Sequence, residues 1–235
     1  MLQILTEWGK SMESTYWKTA GENFINESLA DRVYKLLETS IIEMEISPGS
    51  ILSEDEIAAS LNVSRSPVRE ALLRLEYAGL VIKERKSRVV ATITEAMMID
   101  NYHFWAMTES YAAGHSCKTA SPQDLGRIGQ VLEQLEQSLD DSRQYQELNY
   151  RYHSLLVAPC PYKKLVELHA NALNHIRWGY NFTLHLPDDI GHSNITHHEI
   201  FKVYRGKDSA ALESMLRAHI ENAAQRFRQK YFKQL

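Results

Sequence analysis

Apolar residues first fall into a helical rhythm after Ser28, where Leu29, Val33, Leu36, Leu37 and Ile41 recur at steps of three and four. That period predicts an amphipathic helix running until Pro48 and Gly49 in "SPGS" break it. Ser53 then opens "SEDE", whose spacing predicts a capping box between Ser53 and Glu56 at the start of a short second helix. A third helix is predicted in "SRSPVREALLRLEYAGLV", with Ser64 or Ser66 as cap, Pro67 in the first turn and Gly79 as the stop. Its core face is Val68, Ala71, Leu72 and Leu75, while Arg65, Ser66 and Arg69 share another side. Two short helices around a tight turn make a helix-turn-helix. The following "LVIKERKSRVVATI" is β-branched at both ends and basic between, which predicts a two-stranded hairpin, the wing of a winged helix-turn-helix.

Beyond "TITEA" the period is helical throughout. Apolar runs over 95–117, 122–140, 142–158, 161–184, 194–205 and 208–231 predict a bundle of about six helices. The expected fold is therefore mainly α, with a winged helix-turn-helix over 28–93 and an all-helical bundle over 94–235. Residues 1–27 have scattered aromatics and no sustained period, and read as a separate N-terminal arm.

Composition changes this picture in two places. The net charge of −4 argues against a chain that is basic all over, yet residues 65 to 88 hold seven Lys or Arg against three Glu, a local excess of four. A basic edge on an acidic protein is where a DNA reader needs it. No apolar run approaches the roughly 18 to 20 residues that span a bilayer, and no basic segment leads into an apolar signal core, so a cytoplasmic protein without a membrane partner is expected. Cys117 and Cys160 fit neither a disulfide framework nor a CxxC metal clip.

Three of the ten histidines stand out by spacing. His153 follows Asn149 by four, on one helix face. His197 and His219 each lie eleven residues from Asp208, at the turn in "RGKD", so an antiparallel helix pair would bring them level and a facing helix could add His153. His103, His115, His169, His175, His185, His192 and His198 sit where an ordinary polar or partly buried histidine causes no surprise. A polar, metal-free pocket lined by histidine is the alternative reading of the trio.

The stretch "SEDEIAASLNVSRSPVREALLRLEYAGLV" resembles the DNA-binding domain of GntR-type bacterial transcription regulators, whose signature is VSRxPVREAL. The helical remainder resembles the FCD effector domain of the FadR branch. The resemblance implies a homodimer that binds a palindromic double-stranded DNA operator, commonly as a repressor, with affinity altered by a small molecule in the helical domain. Ser64, Arg65, Ser66 and Arg69 match its recognition-helix contacts, and Arg85 with Lys86 its wing tip. The family's wing usually has Gly at the tip, and "RKSRVV" has none, which shifts Lys86 and Arg88 toward phosphate contacts.

The histidine trio with Asn149 resembles the FCD metal site. Three imidazoles and an oxygen suit a divalent metal such as Zn or Ni. An Asp usually stands where Asn149 is, so such a site is one ligand charge poorer and would welcome a carboxylate on a small effector. Many FCD domains place an Arg four residues before a Glu, where this chain has Trp105 before Glu109. That points to a stacked or bulkier ligand, with Tyr102, Trp105 and Arg177 as pocket candidates, although Arg177 also reads simply as a surface residue. A metal-dependent enzyme is the alternative class, but the sequence has no HExxH, nucleophile elbow or Gly-rich phosphate loop, and no carboxylate beside the histidines stands out as a base.

Overall fold

The computed structural model describes residues 27–182 and 190–231. The expected arm over residues 1–27, all but its last residue, and His185 lie outside the described residues. The chain forms two compact units, residues 1–92 and 93–235. Among the described residues there are nine helices and one small sheet.

In the first unit, α1 (Leu29–Ile42) starts at a complete capping box: the Ser28 hydroxyl accepts from the Asp31 amide and the Asp31 carboxylate accepts from the Ser28 amide. It ends six residues before Pro48, because Met44 takes a left-handed conformation at φ 63°. A short β1 (Ile51–Leu52) leads into α2 (Glu54–Ser60), and α3 (Arg65–Tyr77) completes the helix-turn-helix. Gly49 and Gly79 supply left-handed turns before β1 and after α3, at φ 81° and 79°. The hairpin is β2 (Val81–Glu84) and β3 (Ser87–Val90), but the sheet has three strands in the order β1-β3-β2, since Ile51 and Leu52 pair with Val89 and Arg88. Two residues are too few to leave an alternating pattern, so β1 was not legible. Val33, Leu37 and Ile41 of α1 are buried, as are Val68, Ala71, Leu72 and Leu75 of α3 and Val81, Val89 and Val90 of the hairpin.

The second unit is helical only: α4 (Glu95–Thr119), α5 (Pro122–Gln137), α6 (Ser142–Val157), α7 (Lys163–Phe182), α8 (Ile190–Gly206) and α9 (Ser209–Tyr231). Ser121 closes a capping box with Asp124 ahead of Pro122, and Asp141 caps α6 through the Gln144 amide. The central helix is α4, which packs against α6, α7, α8 and α9. It buries residues well beyond one face, Trp105, Ala106, Thr108, Ser110 and Ala113 among them, so it lacks the one-sided stripe of a surface helix. One apolar cluster joins Ile128 and Leu132 of α5, Tyr152 and Leu156 of α6, Ile200 and Tyr204 of α8, and Leu212 and Leu216 of α9. Inside it the Ser116 and Tyr204 hydroxyls meet at 2.6 Å. No helix among the described residues is long and apolar enough to cross a membrane.

Asp31 joins capping to tertiary structure, because its other oxygen accepts from Arg74 of α3 at 2.6 Å. The hydrogen bonds from Ser28, then that from Arg74, hold its carboxyl down to about 2. A carboxylate with a depressed pKa contributes stability above its unfolded value, and that contribution is lost as pH falls through the folded value. The difference in thermal midpoint between the wild type and Asp31→Asn is therefore expected to be largest above about pH 4 and to fall away as pH drops through about 2. Melting curves followed by circular dichroism across that range check it.

Candidate functional site

Ser64 occupies the N-cap position of α3, but its hydroxyl makes no capping bond. Ser64, Arg65, Ser66 and Arg69 are all exposed around that helix start. The capping box expected between Ser53 and Glu56 is half formed: the Glu56 amide reaches the Ser53 hydroxyl at 3.4 Å, and the returning carboxylate bond is missing among the described hydrogen bonds. The neighbouring acids of α2 face the arginines instead. Arg65 pairs with Asp55. Arg69 donates to Glu54 through Nε and a terminal nitrogen, each at 3.0 Å. These contacts hold the Glu54 carboxyl low, Arg69 contributing most.

Arg85 and Lys86 form the two-residue tip of the β2–β3 hairpin, both exposed, between the paired Glu84 and Ser87. Arg85 takes φ 53°, the left-handed turn conformation that glycine adopts without strain. Arg88 departs from the expected phosphate role. It donates to Glu54 at 2.8 Å and to Glu76 at 3.2 Å, with its side chain only 19% exposed, so it ties the hairpin to α2 and α3.

In the helical unit, α8 and α9 form a tight antiparallel pair across Lys207 and Asp208. Lys207 turns at φ 59°, and the Asp208 carboxylate accepts from the Ala211 amide. The pair brings His197 and His219 level, with their Nε2 atoms 3.1 Å apart. His153, from α6, stacks on His219 with ring centroids 5.6 Å apart. One ligand nitrogen from each of the three histidines lies within 4.8 Å of the others, and all three are buried. Burial, and then the neighbouring His219, His153 and His198, push the His197 imidazole well below its ordinary value, which keeps it neutral and able to ligate.

Two buried nitrogens, His153 Nε2 and His197 Nδ1, have no hydrogen-bond partner among the described residues. Unpartnered imidazole nitrogens in a buried cluster fit a metal site. Asn149 lines a small adjoining cavity with Tyr102, Trp105, Gln146 and His219, but Arg177 is not part of that lining. Arg177 instead pairs with Glu147 at 2.8 Å and lies 5.8 Å from the Tyr150 ring centroid, which answers to the surface reading. The cavity measures about 20 Å³, enough for roughly one water-sized group.

Two participants were missed. Glu109 of α4 is fully buried and accepts from His153 Nδ1 at 2.5 Å, from His169 Nε2 at 2.9 Å and from the Trp105 indole at 2.5 Å. Burial alone would raise its carboxyl, but the charge and hydrogen bonds of His153, with those of His169, outweigh this and hold it down to about 2. A carboxylate that did not stand out in the sequence therefore stands beside the histidines, and His169 is one of its anchors. The signal in the sequence is an acid at 109 amid residues that α4 buries, four after Trp105 and so on the same face.

A wing contact and a structural tie should respond differently to truncation. Lys86→Ala is expected to lower the slope of log affinity for DNA against log salt by about 1 and leave stability unchanged. Arg88→Ala is expected to lower the melting temperature, because it leaves Glu76 unpaired and Glu54 with one partner fewer. Salt titrations by fluorescence anisotropy, set beside melting curves, separate the two.

Residues 29–90 match the model for bacterial regulatory proteins of the gntR family, and residues 100–222 match that for the FCD domain. The chain is 25% identical over 207 residues to the HTH-type transcriptional repressor RspR of Escherichia coli, covering 84% of this chain and 88% of that protein. It is 30% identical over 128 residues to the gluconate operon transcriptional repressor of Bacillus subtilis, covering 54% and 53%. Its fold is similar to that of E. coli McbR/YncC, with a TM-score of 0.72 at 20% identity, covering 87% of this chain and 99% of that one. A winged helix-turn-helix and a histidine-bearing helical unit thus stand in the order that both family models describe, and the chain belongs to the GntR family of transcription regulators with an FCD effector-binding domain.

Proposed function

We propose that this regulator is a homodimeric repressor that binds a palindromic operator and senses a small carboxylate at a metal held by His153, His197 and His219. The observation that carries the metal reading is the buried trio itself, with ligand atoms within 4.8 Å of one another and two imidazole nitrogens left unpartnered. Three neutral imidazoles with the Asn149 oxygen suit Zn or Ni, and a metal bound there would supply uncompensated positive charge to an anionic ligand. Glu109 adds an anion one layer further out, through His153. The cavity admits little more than a donor atom, so a carboxylate would enter by displacing its walls, with Tyr102 and Trp105 nearest to hand. Arg177 is left out of this reading because of its pair with Glu147.

On the DNA side, Arg65 and Arg69 would exchange Asp55 and Glu54 for base edges, a bidentate arginine–guanine contact being worth roughly 1–3 kcal/mol of discrimination. Ser64 and Ser66 suit phosphate oxygens at the helix start, and Arg85 with Lys86 bring free charge at the wing. Repression follows the names of the relatives. Against an enzyme, both oxygens of Glu109 are occupied by donors, which leaves it poorly placed to take a proton from a substrate.

Zn or Ni is expected in the purified, tag-free protein at about one per chain and absent from His153→Ala and His197→Ala, as read by mass spectrometry of the metal. A metal-free wild type would refute the site. Arg65→Ala and Arg69→Ala are each expected to lower the preference for operator over random DNA by about tenfold or more. Unchanged preference in both would refute the DNA assignment.

A further inference from the structure

We propose that Glu109 is a positioning residue that fixes His153 as the tautomer whose Nε2 is left free for the metal. The inference rests on the metal reading given above. An anionic carboxylate only accepts, so each group facing Glu109 must present a hydrogen. His153 does so through Nδ1 at 2.5 Å, which leaves Nε2, buried and unpartnered, with the lone pair that a ligand nitrogen needs.

The other two partners make the arrangement directional. The Trp105 indole can only donate, and it donates to Oε2; His169 shares that oxygen, while His153 has Oε1. In Glu109→Gln a single carbonyl oxygen remains. The fixed Trp105 donor claims it on the Oε2 side, which turns the amide NH2 toward His153 Nδ1. That nitrogen must then accept, its proton moves to Nε2, and the ligating position is blocked. Removing the indole donor releases the constraint. In Glu109→Gln with Trp105→Phe the amide can turn its oxygen to His153, and His169, as its other tautomer, can accept from the NH2.

The full-length protein, stripped of metal, is examined by long-range 1H–15N correlation spectra of the histidines and by competition titration with zinc. The wild type is expected to carry its His153 proton on Nδ1, and Glu109→Gln on Nε2 with zinc affinity 10- to 100-fold lower. The double variant is expected to recover Nδ1 protonation and much of the affinity, whereas a merely structural role for Glu109 would make the second substitution add to the damage. Equal zinc affinity in wild type and Glu109→Gln overturns the inference while leaving the metal site standing. Failure of the wild type to bind zinc or nickel overturns both. Should Glu109→Gln not fold, the wild-type spectrum still decides, since a neutral His153 with its single proton on Nε2 is incompatible with the proposal.

Discussion

A carboxylate fully withdrawn from solvent is the constraint around which the helical unit is organised. Glu109 sits midway along α4, the helix that packs on four of the five others, and an unpaired charge there would cost several kcal/mol. Its compensation comes from three donors on three helices: Trp105 on α4 itself, His153 on α6 and His169 on α7. Those bonds fix how α6 and α7 sit against α4. Once His153 is set by Glu109, the α8–α9 pair delivers His197 and His219 to its remaining nitrogen. The polar centre is thus built outward from one anion, and the apolar cluster of Ile128, Tyr152, Tyr204 and Leu216 closes beside it.

Much of this was legible in the residues. Apolar period and capping signals together located the nine helices among the described residues, because most of them bury one face at a 3.6-residue period. Symmetric spacing about Asp208 placed His197 opposite His219, since a tight helical turn turns sequence distance into height along two parallel axes. The α6 partner followed only by analogy with a family site, as nothing in the spacing says which helix faces the pair. Glu109 and His169 stayed hidden because their roles depend on three helices meeting, and a single buried acid looks in sequence like any other polar residue. For Arg177 the sequence offered both a pocket role and a surface role, and its pair with Glu147 on α6 accords with the surface one.

In the first unit, counting charges overstated the basic character of the DNA-reading face. Seven cations against three acids omits Glu54 and Asp55, which lie outside the counted stretch yet fold against Arg65, Arg69 and Arg88. The exposed pairs of Arg65 and Arg69 contribute little stability and exchange readily for other partners, whereas the Arg88 pair is mostly buried. Their effect is to hold the arginines against α2 while lowering the long-range field. Charge without a described ion-pair partner is left on the hairpin, at Lys83, Arg85 and Lys86, so under the proposed DNA reading non-specific attraction and base reading would be carried by different elements.

Trp105, which stands where the FCD resemblance implies an arginine, gains meaning from the Glu109 centre. An arginine at that position would bring its own positive charge to an anionic effector. The indole instead uses its one donor on Glu109, lies edge-on to the His153 ring at 4.8 Å and lines the cavity. Any ligand that displaces Trp105 must also disturb the carboxylate that holds His153. A ligand and a metal bound there would act on one hydrogen-bonded unit, and thermodynamic linkage would make the effect of each on the affinity of the other equal. Selectivity at such a site comes from what the ligand does to Trp105 as much as from the charge it offers the metal.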